Sequence, residues 1–566
     1  MKNKFESLVN RLDEFNSNEL VKYESNYLRG SISDSLQDPV TGSVVFNDTL
    51  LLKFHGIYQQ DDRDLRADRQ KRFLEPNYQF MVRIRIPGGL LSREQWLGLD
   101  DISRKYAERG LRITTRQTIQ FHGVRKGKLR KFMQALRDIG LDTIAACGDD
   151  SRGVVCGGNP MISSISRSVQ ELAQKTSQRL IPKTAAYQEI WYEEKPPVQP
   201  VNAEPVYGPL YLPRKFKVGF VIPPINDIDV YGQDVGFIAI VEKGKLLGFN
   251  LCVGGGMGQI DTREDSYPRL AQEIGFVQAD EAAEVAEICM EIQRDFGDRQ
   301  DRHRARFKYT LDRLGIPWFL DELQKRRGKP LAAAKPVAFT QNGDELGWKC
   351  GDDGLWQCTL YIESGRVNKA LRDQLAGLFQ VFGGRVRLTT NQNLQLIDIH
   401  DYELKQLKTR LADLGLDVLI DPNRQAANTL ACVALPTCGL AMAEAERYMP
   451  AFLQKFNQLK ANYELSHLPI TLRITGCPNG CARPYIAEIA LTGRAHGLYN
   501  LYLGGSHTGN RLAKLYAKNV NEGKILGILN DLLQRYKSLA HTEEMFGDFL
   551  VRTTLIDEVT SAKEHA

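Results

Sequence analysis

The sequence predicts an α/β (α+β) protein, duplicated about a pseudo-twofold axis into three domains with mixed sheets. Three observations predict it. The chain repeats itself at an offset of 275 residues: LRITTRQTIQFH at 111–122 aligns with VRLTTNQNLQLI at 386–397, sharing the arginine, both threonines and both glutamines. At the same offset LRDIGLD (136–142) matches LADLGLD (411–417), and one residue out of register Cys156-x-x-x-Pro160 matches Cys432-x-x-x-Pro436. Each copy opens with a strand-like alternation: FMVRIRI at 80–86 puts Arg83 and Arg85 on one face, and QCTLYI at 357–362 is its counterpart. A helical period then follows at 128–139 and 402–414, each ended by a glycine at the C-cap, Gly140 and Gly415. Strands alternating with helices, with β-branched runs between, imply layers of helix on mixed sheet.

In chain order, the first ~60 residues are polar and rich in Asn, Ser and Asp. They read as a wrapping or docking arm, or as a surface extension that packs. After the first repeat comes the apolar run VGFIAIV at 235–241, of strand length and too short to span a bilayer. A glycine pair also seems duplicated, in GFNLCVGGGMG (Gly254 to Gly258) and GLYNLYLGGSHTGNRL (Gly504, Gly505). Neither is a dinucleotide fingerprint, because the spaced glycines and downstream acid are not in place. Both read as turn glycines, or as close approach of backbone to a bound cofactor.

With 566 residues the chain has room for three or four domains, and 42% hydrophobic with 25% charged residues excludes a disordered or membrane-embedded chain. The N-terminus has no apolar export segment. A net charge of +5 without a basic stripe interleaved with aromatics argues against nucleic acid. It leaves an anionic ligand or an acidic protein partner. Six scattered cysteines (Cys147, Cys156, Cys252, Cys289, Cys350, Cys358) read as reduced core residues, which fits a cytoplasmic protein.

The other four cysteines carry the sharpest signal. Cys432 and Cys438 lie in ACVALPTCGLA, and Cys477 and Cys481 in TGCPNGCARP, with 38 residues between Cys438 and Cys477. C-x5-C followed by C-x3-C supplies four thiolates from two segments, as a 4Fe–4S cubane requires. Pro478 fixes one backbone angle and Asn479-Gly480 tolerates a tight turn, so both thiolates of the second loop can face one centre. Zinc favours shorter C-x2–4-C knuckles, and four buried unligated thiols are the plainer alternative. Four cations form a second constellation: Arg83, Arg152 in GDDSRGVVCGGNP, and Lys215 and Lys217 in YLPRKFKVGF. Two lysines two residues apart in an extended segment project to one face. Their repulsion is relieved by an anion between them, and the lowered pKa that proximity brings suits proton donation. Singly, each reads equally as a solvated edge-strand cation.

Taken together, ACVALPTCGLAMAEAERYMP, RITGCPNGCARP, TTRQTIQFHG, LPRKFK, YESNYLRGSISDSL and KFHGIYQQDDRD resemble the sirohaem- and iron–sulfur-containing sulfite and nitrite reductases, over the whole chain through FGDFLVRTTLI. KFHGIYQQDDRD narrows the likeness to the assimilatory, NADPH-dependent sulfite branch. The resemblance implies six-electron reduction of sulfite to sulfide, in cysteine biosynthesis, on a sirohaem whose iron shares a thiolate with the cluster. It implies Cys432, Cys438, Cys477 and Cys481 as cluster ligands, with Cys481 bridging, and Arg83, Arg152, Lys215 and Lys217 as substrate contacts. Arg116, Gln120, His122, Asn391 and Gln392 are expected to line the macrocycle. The electron donor is expected to be a separate FAD- and FMN-containing flavoprotein. The implied layout is an N-terminal arm (1–75), two ferredoxin-like halves of a shared domain (76–145 and 346–421), a first sirohaem and substrate domain (146–345) and a cluster and sirohaem domain (422–566). A ferredoxin-dependent sulfite or nitrite reductase, or a non-catalytic electron carrier, are the competing readings.

Overall fold

The computed structural model describes residues 2–194, 204–260, 262–421 and 426–565. Four five-stranded sheets organise them, and the sheets come in two matched pairs. In the first pair, one sheet runs Ile57–Asp61, Tyr78–Arg83, Ile119–Val124, Leu111–Ile113, Arg366–Val367. The other runs Gly347–Cys350, Trp356–Leu360, Leu394–Ile399, Arg385–Leu388, Leu90–Leu91. The last strand of each comes from the other repeat. Leu90–Leu91 pairs with the second copy's Val386 and Arg387, and Arg366–Val367 with the first copy's Leu111 and Arg112. The two copies are thus laced together by exchanged edge strands.

Glycine makes the exchange possible. The turn before each swapped strand presses on the partner sheet's backbone: a Cβ on Gly89 would meet the Leu388 carbonyl oxygen at 2.4 Å, and one on Gly365 the Ile113 oxygen at 2.1 Å. Both glycines also hold positive φ, +74° and +74°, which side chains resist.

In the second pair, Val155–Cys156, Val218–Val221 and Val235–Glu242 are parallel, followed by antiparallel Lys245–Val253 and Gln272–Gln278. The later sheet repeats that order with Thr429–Ala431, Leu472–Thr475, Ile489–Ala495, Leu498–Leu503 and Lys514–Val520. Parallel strands buried on both faces need helical cover. Ser163–Leu180 and Ala282–Phe296 cover the first sheet, and Met449–Asn462 and Glu522–Leu539 share one core with the second. One core unites the N-terminal segment, both strand-exchanged sheets and the earlier parallel sheet, while the later sheet has its own.

Backbone pairing corrects the sequence alignment at one point. Gly157 N–H donates to Phe220 O (2.8 Å) as Cys432 N–H does to Ile474 O (3.2 Å). Gly157, not Cys156, is therefore the counterpart of Cys432, and the offset is 275 here too. Cys156 corresponds to Ala431; Gln117 clasps the backbone of Cys156 as its equivalent Gln392 accepts from Ala431 N–H. The duplicated glycines are turn glycines: Gly254 and Gly504 have φ of +86° and +85°. Beside them, Gly255 and Gly505 lie against the chain's own carbonyls at Tyr231 and Ala487. Of the six scattered cysteines, five are buried, but Cys350 is exposed, at the end of the edge strand Gly347–Cys350.

The N-terminal segment packs on the first half. Leu28, Ile32, Leu51 and Phe54 join the main core, and Lys22, fully buried, bonds Glu19 (2.6 Å) and the Leu212 carbonyl (2.8 Å). Among the described residues no helix is long and apolar enough to cross a membrane.

Candidate active site

The site lies where the first strand-exchanged sheet, the first parallel sheet and the cysteine loops converge. A cavity of about 690 Å³ is lined by Cys432, Cys438, Cys477 and Cys481 on one side and by Arg83, Arg112, Gln120 and His122 on the other. A smaller cavity of about 110 Å³ adjoins it, lined by Arg83, Arg152, Lys215 and Lys217 together with Cys481. All four sequence-predicted cations thus meet in one place. Cys481, Arg83, Arg152 and Lys215 border both cavities.

The thiols arrive on two tight loops. Cys432 follows the strand Thr429–Ala431, and its Sγ accepts from Gly476 N–H at 3.2 Å. Gly480, at φ +64°, makes the turn between Cys477 and Cys481, and a Cβ there would meet the Met257 carbonyl oxygen at 2.7 Å. Arg63 ties down the first loop through the carbonyls of Cys438 (3.3 Å) and Ala441 (2.5 Å), and Thr115 Oγ1 donates to the Cys481 carbonyl at 3.0 Å. Burial first, then the charge of the neighbouring thiols, pushes Cys432 well above an ordinary thiol and Cys477 up to about 12. Thiols held up in this way become thiolates together only around strongly positive metal. Among the described residues no three His, Cys, Asp or Glu close around a single ion. Thiols spread round a cavity suit a polynuclear cluster and not mononuclear zinc.

The cationic wall is under electrostatic strain. Burial, then Arg214, Arg306 and Arg152, pushes the Lys215 ammonium down to about 7. Burial, then Arg116 and Lys215, pushes Lys217 well below its ordinary value. Neither ammonium has a hydrogen-bond or ion-pair partner among the described residues, so both are available to a ligand. Among the described residues Asp149 is the only carboxylate lining either cavity, and Arg302 already holds it at 2.7 Å. His122 is buried with both ring nitrogens unpartnered, and burial followed by Arg366 and Arg112 keeps it neutral. A roomy, strongly positive cavity with orphaned polar atoms fits an anionic macrocycle.

Not every expected residue lines the large cavity. Arg116 faces the small one, held by Gln233 Oε1 and Gly153 O at 2.6 Å each. Asn391 and Gln392 line neither, because their copy of the repeat faces another part of the molecule. Asn391 donates to Asp344 Oδ1 (2.8 Å) and accepts from Arg483 (3.3 Å); Gln392 donates to the Ser364 carbonyl (3.1 Å).

Three contributors were missed. Arg112 donates to the Ala431 carbonyl beside Cys432 (2.8 Å) and pairs with Glu446 (2.8 Å); its place in the repeated LRITTRQ motif was the available signal. Arg214 precedes Lys215 and adds charge to the same wall. Arg483, two residues after Cys481, lines the small cavity and spans the two halves, donating to the carbonyls of Thr115 (3.0 Å) and Thr390 (3.2 Å). It also pairs with Asp229, which shares its left-handed position before a short 3-10 turn in the other half. Burial alone would raise the Asp229 carboxyl, but Arg473 and Arg483 hold it at about 2.

Known proteins resemble this chain in sequence and in fold. The family model described as "Nitrite/Sulfite reductase ferredoxin-like half domain" matches residues 74–139 and 351–414, and "Nitrite and sulphite reductase 4Fe-4S domain" matches 172–331. The latter match falls on the first half, which lacks the four-cysteine motif but shares the strand order of the sheet that carries it. The sulfite reductase [NADPH] hemoprotein beta-component of Afipia carboxidovorans is 49% identical over 98% of this chain and 97% of its own. That of Nitrobacter winogradskyi is 50% identical over 98% and 96%. The structure of the Mycobacterium tuberculosis NirA protein superposes with a TM-score of 0.76 at 25% identity, covering 95% of this chain and 96% of that one. Full-length likeness at this level shows that the chain belongs to the nitrite and sulfite reductase family of oxidoreductases.

Proposed function

We propose that this chain is the catalytic haemoprotein of an assimilatory sulfite reductase, reducing sulfite by six electrons to hydrogen sulfide for cysteine biosynthesis in the cytoplasm. A sirohaem and a 4Fe–4S cluster are its cofactors, and a flavoprotein carrying FAD and FMN supplies electrons. One observation carries the reading: Cys481 borders both the cavity that holds the other three thiols and the small cavity walled by Arg83, Arg152, Lys215 and Lys217. A group ligated by Cys481 would face cysteines on one side and cations on the other. The names of the full-length relatives support the same activity.

Cys432, Cys438, Cys477 and Cys481 would hold the cluster, and Cys481 would also help to hold the sirohaem. When bound, the coupled pair supplies the electrons and the metal centre at which sulfite is reduced. Arg112, Gln120 and His122 would face the macrocycle, with the basic wall matching its carboxylates. Arg83 and Arg152 bring fixed charge to the substrate anion. Lys215, whose ammonium titrates near neutral pH, is placed to give up a proton at Nζ and regain it. Such groups serve a reaction in which each departing oxygen leaves as water.

Iron, acid-labile sulfide and haem analysis of two variants tests the assignment. Cys481→Ser should lose or uncouple both cofactors, because one thiolate serves both. Cys432→Ser should lose the cluster first. A Cys481→Ser protein with full, normally coupled cofactors would sink the assignment.

A further inference from the structure

The duplication that built the cofactor cavity also built its mirror, and the mirror is not closed. A cavity of about 250 Å³ lies between the second strand-exchanged sheet and the helix Ser163–Leu180. It is the pseudo-twofold equivalent of the 690 Å³ cavity. Equivalent strand registers place Arg387, Ile397 and Gln357 where the larger cavity has Arg112, His122 and Met81. Asn159 and Pro160, just past Gly157, stand where the larger cavity has the residues after Cys432. Without thiols or a cationic quartet this cavity cannot take a metal cofactor. Three of its buried polar residues, Arg387, Ser166 and Gln170, nonetheless carry unmet atoms.

Arg387 is only 5% exposed, and its guanidinium forms no hydrogen bond or ion pair with any described residue. Its equivalent Arg112 has Glu446 and the Ala431 carbonyl. Gly158 lies flush against the Arg387 head group, where a Cβ would come within 2.3 Å of Nη1. Ser166 Oγ and Gln170 Oε1, on residues 2% and 3% exposed, line the same cavity with no partner. Gln170 is fixed with Oε1 free, because its Nε2 donates to the Pro87 carbonyl at 3.0 Å. The two other arginines of the lining are answered by carboxylates, Arg385 by Asp398 and Arg167 by Asp353. Glu171 adds an exposed carboxylate to the lining, and Leu90, Pro160, Trp356 and Ile397 supply apolar wall.

Arg387 feels the carboxylates of Asp227 and Asp398 only at a distance, with no direct hydrogen bond or ion pair to either. A buried guanidinium and a buried amide carbonyl left without hydrogen bonds on one cavity are costly unless a ligand satisfies both. A simple oxyanion would answer Arg387 but set negative charge against Gln170 Oε1. We propose that this cavity binds a small zwitterionic α-amino acid, its carboxylate on Arg387 and its ammonium on Gln170 Oε1 toward the Glu171 side. Ser166 bonds the carboxylate, and the apolar wall takes the side chain. This site is independent of the reductase reading, since it uses none of the residues that reading needs.

Calorimetric titration of the purified, cofactor-loaded chain tests it, in buffer containing sulfate so that the cation-rich cavity is already occupied. L-alanine and L-serine are the probes; propionate and ethylamine each carry one of the two charges. At least one amino acid should bind saturably at 1:1, and both single-charge probes should bind more weakly. Arg387→Met should weaken that binding about tenfold or more, the scale of a lost charged hydrogen bond. Sulfite reduction with a chemical reductant should change less than twofold. Ser166→Val carries the same prediction should Arg387→Met fail to fold. No amino-acid binding at tens of millimolar, propionate binding as tight as L-alanine, or unchanged binding in both variants overturns the proposal.

Discussion

At the scale of single residues, the small cavity concentrates charge that only an anion relieves. Lys217 is driven well below its ordinary value by burial and by the cations around it, Arg116 and Lys215 foremost. A dianion reverses that balance more than a monoanion, since each fixed charge acts on twice the ligand charge. At an effective dielectric of ~20, unit charges ~4 Å apart interact by about 4 kcal/mol. If one ammonium contributes about 2–4 kcal/mol, Lys217→Asn should lower kcat/KM for sulfite roughly 30- to 1000-fold. The loss for the monoanion nitrite should be far smaller. Lost proton donation lowers both rates, so the ratio between the two substrates is the quantity to measure. An unchanged ratio would mean that charge matching does not set the preference.

At the scale of elements, the N-terminal segment is fastened to the first half through a histidine that must stay neutral. His55 Nε2 meets the Leu28 carbonyl at 3.0 Å, and its Nδ1 accepts from Trp191 Nε1 at 3.0 Å, on the helix Ala186–Tyr192. Burial pushes the imidazole down from 6.5 to about 4. A depressed histidine favours the folded state while it is neutral. That contribution is complete above about pH 6.5 and lost as pH falls toward 4, by about 3 kcal/mol in all. Protection factors of residues 16–60 against hydrogen exchange, corrected for the intrinsic rate at each pH, should therefore fall over that window more than those of the later parallel sheet, and His55→Gln should flatten the difference. An equal loss of protection in both regions, unchanged in the variant, would place the acid-sensitive group elsewhere. The elements also show what the sequence could disclose. Cysteine spacing and the lysine pair are local, so the thiols and cations were legible before any fold was known. The repeat was legible too, and Gly140 and Gly415 end their helices at φ +70° and +65° as their positions imply. The strand exchange was not: Leu90–Leu91 and Arg366–Val367 are two residues long and carry no periodicity. Nor could periodicity tell which copy of the repeat faces the cofactor cavity. Asn391 and Gln392 have sequence surroundings much like those of Arg116 and Gln117, but three-dimensional packing turns them to Arg483 and to the backbone at Ser364.

At the scale of the whole molecule, duplication divided the labour between halves. The first half supplies Lys215, Lys217, Arg83, Arg116 and Arg152, the second supplies all four thiols and Arg483, and the contacts that join them cross the pseudo-twofold axis at Asp229, Arg483 and Thr115. That division leaves electron entry to be explained. The duplicated glycine pairs, the only segments resembling a nucleotide-binding loop, are accounted for by positive φ and by backbone pressed against backbone. No phosphate cradle of the kind a nicotinamide dinucleotide needs is formed there. On the proposed reading, hydride from NADPH is split into single electrons on a flavin held by another chain. The purified protein should accordingly reduce sulfite with reduced methyl viologen, which delivers single electrons directly, and should show no sulfite-dependent oxidation of NADPH. Adding a reductase that carries FAD and FMN should restore NADPH-driven sulfide formation, saturating with the reductase concentration. Turnover of NADPH by this chain alone, with flavin shown to be absent, would mean that a dinucleotide site exists in it and that the division of labour between chains has been misread.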